Sequence, residues 1–246
     1  MMRSPLALLG AAAALAASPA AADCAPGFPP AARAMLDEMT GTEGFLGVVL
    51  VAVSGQEVLV DASGAANREW NIANTGTTRF RIGSMTKPFT AIAVLQLSEQ
   101  GKLSLDDPLS KHYPAAPAAW ADVTIRHLLT HTSGVPDFLS VAAFHQAGPG
   151  RPHTPEELVD YVRDLPLDFA AGEGWRYSNT GFVLLGRVIE QASGQAYGDY
   201  LTGHIFAPTG MKASGYETAH GLIPQRASGY VETAEGWLNA PFVDPS

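Results

Sequence analysis

Phe45 to Val53 is an almost unbroken apolar, β-branched run, and Gln56 to Asp61 alternates between polar and apolar positions. With Ser54-Gly55 as a turn between them, the two runs predict an antiparallel β-hairpin. Asn67 to Arg81 is polar and irregular. From Ser84 the period changes: Met85, Phe89, Ile92, Ala93, Leu95, Gln96 and Leu97 predict a largely buried helix that stops at Gly101. Asp106-Asp107-Pro108 reads as the cap of a short helix with Pro at its first position. Val123 to Leu129 leads into the loop Thr130-His131-Thr132-Ser133-Gly134, and Thr154-Pro155-Glu156-Glu157 is a capping box opening a helix to about Asp164. Gly172 to Tyr177 reads as an irregular loop. A helix follows over Asn179 to Ala192, ended by Ser193-Gly194, and another covers Tyr197 to Phe206 and stops at Pro208. After Met211 the chain is turn-rich and predicts no further strand pair. A shorter helical pattern runs from Ala31 to Met39.

The beginning of the chain has a different character. Arg3 is followed by the apolar run Leu6 to Ala17, a break at Ser18-Pro19 and the small residues Ala20-Ala21-Ala22. This is the pattern of a secretory signal peptide, residues 1–22, with cleavage expected after Ala22. The run is about 12 residues, short of the roughly 20 that a spanning helix needs, so no stable membrane anchor is expected. Asp23 immediately before Cys24 argues against lipidation. No repeat or inter-domain linker interrupts residues 23–246, which read as one domain of a periplasmic or secreted protein.

Composition narrows the chemistry. A chain that is 46% hydrophobic and 16% charged is a folding chain rather than a disordered one. Its net charge of −9, with no basic run, leaves no electrostatic footprint for nucleic acid or anionic lipid. One cysteine rules out a disulfide framework and a cysteine-based zinc site. His127 and His131 are four apart, but no third ligand is close by, so they read as structural residues near a helix end and no metal is expected. Asp106 and Asp107 are adjacent and do not face each other, which favours capping over paired carboxylate chemistry.

One arrangement carries chemistry. Ser84-Met85-Thr86-Lys87 is an S-x-x-K motif at the start of an apolar helix, and residues three apart share a helix face. A serine needs a base to attack a carbonyl at neutral pH, and a neighbouring lysine can serve once its surroundings favour the amine. The position near a helix N-terminus also favours a developing oxyanion. Fifteen serines and four lysines in 246 residues produce about 0.24 accidental matches. The second motif is Tyr177-Ser178-Asn179, where a Gly-rich loop meets a helix; about 0.14 accidental Y-x-N matches are expected. Tyr177 can act as a phenolate or a proton relay, and the Asn179 amide can orient Lys87 or a substrate amide.

These motifs resemble the serine β-lactamase-related family of class C β-lactamases, D-alanyl-D-alanine carboxypeptidases and related serine esterases. The resemblance rests on Phe80 to Lys87, Gly101 to Pro108, Ile125 to Gly134 and Trp175 to Gly181, in that order. It implies an α+β fold with an antiparallel sheet flanked by helices, beside an all-helical region containing the Tyr177 loop. It implies Ser84 as the acylated nucleophile, Lys87 as its base partner, Tyr177 as the proton carrier and Asn179 as the residue that orients substrate and lysine, with no cofactor. The implied substrate is a small molecule or cell-wall peptide: a lactam, a D-amino-acid peptide or an ester. The alternatives are a small-acyl-ester esterase and a non-catalytic penicillin-binding or peptidoglycan-sensing module. The family's third motif, Lys or His followed by Thr or Ser and Gly, does not occur after Gly181, and Ala171 stands where the family often has Pro. The resemblance therefore implies that the C-terminal strands, including the oxyanion strand, are missing from this chain.

Overall fold

The computed structural model describes residues 47–53, 56–148, 150–218 and 221–241, with a few helical positions between 30 and 38. The expected signal peptide, the Ser54-Gly55 turn and most of the Ala31 to Met39 helix lie outside the described residues. The chain divides into two units, residues 1–78 and 79–246.

In the first unit, β1 (Gly47–Val53) and β2 (Gln56–Ser63) pair antiparallel, with Leu50 opposite Val60 and a register irregularity between Val51 and Ala52. The apolar run and the alternating run therefore form the expected hairpin. The supposedly irregular stretch after it holds a second, very short ribbon of β3 (Ala65–Asn67) and β4 (Ile72–Ala73). Strands of three and two residues are too short to leave a period in the sequence. Asn74 closes this ribbon, its backbone N–H donating to Gly64 O at 2.8 Å and its amide to Ser63 O at 2.8 Å.

The second unit is helical and is organised around one central helix. The described helices are α1 (Lys87–Glu99), α2 (Leu109–His112), α3 (Ile125–Leu129), α4 (Ala142–Ala147), α5 (Pro155–Asp160), α6 (Asn179–Ser193) and α7 (Tyr197–Leu201). Leu184, Leu185, Val188 and Ile189 recur at the helical period and are fully buried on α6. They pack with Val94 and Leu97 of α1, Leu109 of α2, Leu128 of α3, Val159 of α5 and Leu201 of α7. Each such side chain removed from water contributes about 1.5–3 kcal/mol, so α6 is the element that holds the others. It ends at Gly194, whose φ of 72° is the left-handed conformation of a helix terminator.

Several local expectations need correction. Asp106 and Asp107 do not cap α2. The cap position is Pro108, without a side-chain bond, because both carboxylates are engaged elsewhere. Asp106 pairs with Arg126 at 2.8 Å, while Asp107 accepts from the Ser104 N–H, Lys111 and His112, each at 2.8 Å. The Thr154–Glu157 capping box forms reciprocally, but α5 stops at Asp160 and gives way to turns. The helix from Tyr197 runs on from Leu201 as a π-helical turn over Thr202–Phe206. A third strand pair, β5 (Tyr230–Thr233) with β6 (Gly236–Asn239), lies in the turn-rich end. Its strands are four residues long and mostly exposed on both faces, which erases the alternation that reveals a half-buried strand. The described sheets are thus two-stranded antiparallel pieces, and with the helices of the second unit they give an α+β composition. Among the described residues no helix is long and apolar enough to cross a membrane.

Candidate active site

The approach to Ser84 is fixed by the far end of the chain. The Arg79 N–H donates to Gln225 O and the Ala227 N–H to Arg79 O, both at 2.9 Å. Arg81 forms a paired bond with Glu217 at 2.7 and 2.8 Å, and Arg226 joins the same carboxylate. The Arg81 bond and both guanidinium charges outweigh burial and hold the Glu217 carboxyl below its ordinary range.

Gly83 then turns the chain with a φ of 52°, a conformation that disfavours any side chain. Ser84 lies in a 3₁₀ turn, Gly83–Thr86, that runs directly into α1, so the nucleophile candidate precedes the α-helix rather than belonging to it. Pro88 in the first turn of α1 sets that start, since a missing N–H costs nothing there. Three residues on, Lys87 folds back, its Nζ donating to Ser84 Oγ at 3.3 Å and to Asn179 Oδ1 at 2.8 Å. The ammonium lies over the Tyr177 ring at 4.7 Å and the Phe182 ring at 5.3 Å, a cation–π setting for a half-buried charge.

The other wall comes from two interlocked loops. His131 O accepts the Arg176 N–H at 2.9 Å, Thr132 O that of Gly172 at 2.8 Å and Gly134 O that of Asp168 at 2.8 Å. Gly134 has a φ of 72°, and a Cβ there would sit 2.0 Å from Phe169 O, so only glycine lets the loops close. The pairing delivers Tyr177 with its hydroxyl 2.7 Å from Ser84 Oγ. Immediately after it, Ser178 caps α6 by accepting the Gly181 N–H, and Asn179 begins the helix. Burial pushes the Tyr177 phenol up, but its bonds with Lys87 and Ser84 and the nearby lysine charge outweigh that and bring it below its ordinary value.

The four residues singled out from the motifs therefore converge on one point: Ser84 Oγ touches both the phenol and the amine, and Asn179 holds the amine from behind. Such a serine has beside it a phenol oxygen, held next to the lysine, that can take its proton and return it to a leaving group, an arrangement suited to nucleophilic catalysis. His127 and His131 do not come together as a ligand pair. His127 Nδ1 accepts the Thr124 N–H at 3.3 Å as part of the α3 capping box. His131 has a φ of 59° and lies against the Tyr177 ring at 4.5 Å, with Nδ1 accepting the Ser178 N–H at 3.2 Å. That bond requires an unprotonated Nδ1, and burial together with the Lys87 charge pushes the imidazole below its ordinary value despite Asp137.

Sequence reasoning missed Asp137 altogether. Its Oδ2 accepts from Asn179 Nδ2 at 3.0 Å, and its Oδ1 accepts the Asn179 and Leu139 N–H groups, each at 3.3 Å. The available signal was a lone carboxylate in the apolar stretch Val135-Pro136-Asp137-Phe138-Leu139.

The Beta-lactamase family model matches residues 32–246. Penicillin-binding protein 4* of Bacillus subtilis (strain 168) is 36% identical over 188 residues, 76% of this chain and 41% of that protein. Esterase EstB of Burkholderia gladioli is 36% identical over 185 residues, 70% of this chain and 47% of that protein. The D-amino acid amidase of Ochrobactrum anthropi SV3, solved with D-phenylalanine, superposes with a TM-score of 0.73 at 31% identity over 86% of this chain and 62% of that one. This chain spans less than half the length of the curated relatives it matches. With the family match running from residue 32 to residue 246 and the Ser84–Lys87–Tyr177–Asn179 cluster formed, the chain belongs to the β-lactamase family and has its β-lactamase/transpeptidase-like fold.

Proposed function

We propose that the protein is an exported serine hydrolase that opens a lactam, D-amino-acid amide or peptide, or ester carbonyl through an acyl-Ser84 intermediate. The observation that carries this reading is the pair of contacts on Ser84 Oγ, 2.7 Å to the Tyr177 hydroxyl and 3.3 Å to Lys87 Nζ. In the acylation step the Ser84 proton passes to the Tyr177–Lys87 pair as the Oγ–carbon bond forms. Collapse of the tetrahedral oxyanion breaks the bond to the leaving alcohol or amine, which receives the proton through Tyr177. Water then adds to the acyl-enzyme by the same proton route, the free acid departs and Ser84 is regenerated. Relatives named as a penicillin-binding protein, an esterase and a D-amino acid amidase support acyl transfer as the common chemistry. The signal-peptide pattern of residues 1–22 supports export to the periplasm or medium, where a small-molecule or cell-wall peptide substrate is met.

The test is a panel of an activated acyl ester, a D-amino-acid amide and a penicillin, each followed for product release by the purified protein and by Ser84→Ala. Release from at least one compound by the parent, absent in the variant, is the expected result. Equal release by both would refute the role of Ser84, and an adduct that never turns over would favour the penicillin-binding module.

A further inference from the structure

Asn179 faces two partners with opposite demands. Lys87 Nζ donates and needs the amide oxygen, whereas Asp137 Oδ2 accepts and needs the amide N–H. The observed orientation satisfies both, with Oδ1 2.8 Å from Lys87 and Nδ2 3.0 Å from Asp137. Asp137 is itself held from both ends of its segment. Its Oδ1 is committed to the Asn179 and Leu139 N–H groups, and the neighbouring Phe138 N–H donates to Thr180 Oγ1 at 3.0 Å. The loop and the first turn of α6 therefore clasp each other, and the carboxylate cannot rotate without losing two backbone donors.

Building on the acyl-serine reading above, we infer that Asp137 is a positioning residue that fixes which end of the Asn179 amide meets Lys87, and so holds the lysine against Ser84. The charged and titratable groups that face this point are Lys87 from α1, Tyr177 and His131 from the paired loops, and Asp137 from the segment before α4. Asp137 reaches Lys87 by way of the Asn179 amide, and its charge is also felt at Tyr177 and His131.

The commitment of Asp137 Oδ1 makes the inference sharply testable. In Asp137→Asn the side chain keeps its shape and its oxygen stays with the two backbone N–H groups, so an NH₂ group is presented to Asn179. The Asn179 amide must then turn over, offering its own NH₂ to the Lys87 ammonium, where no acceptor remains. Asn179→Asp alone sets two carboxylates face to face. The exchange Asp137→Asn with Asn179→Asp restores complementarity, because a carboxylate at 179 accepts from both neighbours.

Ser84 acylation by an activated ester is measured in the four proteins, with thermal melts to establish folding. Asp137→Asn is expected to slow acylation by roughly 10²-fold, the cost of a misplaced catalytic group, and the double exchange to recover at least about tenfold of that. A second readout does not depend on turnover: the Asn179 side-chain amide protons exchange slowly in the parent and rapidly in Asp137→Asn. Acylation within about twofold of the parent in Asp137→Asn would overturn the inference. So would a double variant no faster than the single, or an Asn179 amide with unchanged exchange. If the parent forms no adduct, the hydrolase reading fails, and the amide exchange still decides the role of Asp137.

Discussion

The two sides of the Ser84 site are built in opposite ways. The turn Gly83–Thr86 that carries the serine contains no buried residue and no capping side chain, and Met85 beside the serine is 70% exposed. The entry to α6, with Tyr177 just before its cap and Asn179 as its first residue, is anchored at Ser178 and Thr180, exposed by only 2% and 0%. Around it Ser178 Oγ, Thr180 Oγ1, Asp137 and His131 Nδ1 all take up backbone N–H groups. The proposed nucleophile is thus presented on an open turn against a deeply anchored wall that carries the proposed proton-handling groups. Substrate can reach the serine without disturbing what activates it, and preorganisation resides where charge has to be managed.

The contrast predicts that losses among the groups placed around Ser84 Oγ are chemical first. Lys87→Ala and Tyr177→Phe are each expected to reduce acylation by roughly 10²–10⁴-fold, the usual contribution of a positioned acid or base, with little change in melting temperature. Rapid-mixing kinetics with an activated ester measure this, and near-parental rates would move either residue out of the mechanism.

Next in size are changes to the backbone supports. Gly83→Ala places a side chain at φ 52° and is expected to cost about 1–2 kcal/mol in urea unfolding. Ser178→Ala removes the α6 cap and is expected to cost about 1 kcal/mol. If the two sides differ as described, Ser178→Ala disturbs Tyr177 and Asn179 together and slows acylation, while Gly83→Ala acts on the serine turn alone. A double variant separates them, since sites acting independently add.

The smallest effect is on pH dependence. His131 is held neutral in the fold, with its titration pushed below the ordinary histidine value by burial and by Lys87. The unfolded chain therefore takes up a proton that the folded one refuses as the pH falls. The stability tied to the His131–Ser178 contact is complete above about pH 6.5, the ordinary histidine value, and is lost as the pH drops from there through the depressed folded value. Melting temperatures across that window should fall more steeply for the parent than for His131→Gln; parallel curves would contradict the assignment.

How much of this was legible follows from what each element leaves in a sequence. The α6 helix is legible over Asn179 to Ala192 with its Ser193-Gly194 stop, and the structure shows its buried stripe, Leu184, Leu185, Val188 and Ile189, at the helical period. Ser84, Lys87, Tyr177 and Asn179 stood out because two short motifs fix their local spacing. Asp137 did not, since its role comes from a contact between segments 42 residues apart that no local pattern encodes. The β5–β6 pair escaped for a different reason: strands exposed on both faces have no alternation to read. Spacing alone makes His131 a helix-end residue, and only the pairing of its loop with residues 168–176 brings its ring against Tyr177.

The central claim is that Ser84 Oγ, poised between Tyr177 and Lys87, is the atom that is acylated. Peptide mapping by mass spectrometry after brief exposure to a fluorescent penicillin or an activated acyl ester tests it most directly. The account predicts one adduct, on the peptide containing Ser84, absent from Ser84→Ala and strongly delayed in Lys87→Ala. An adduct on any other residue, or one that persists undiminished in Ser84→Ala, would contradict it.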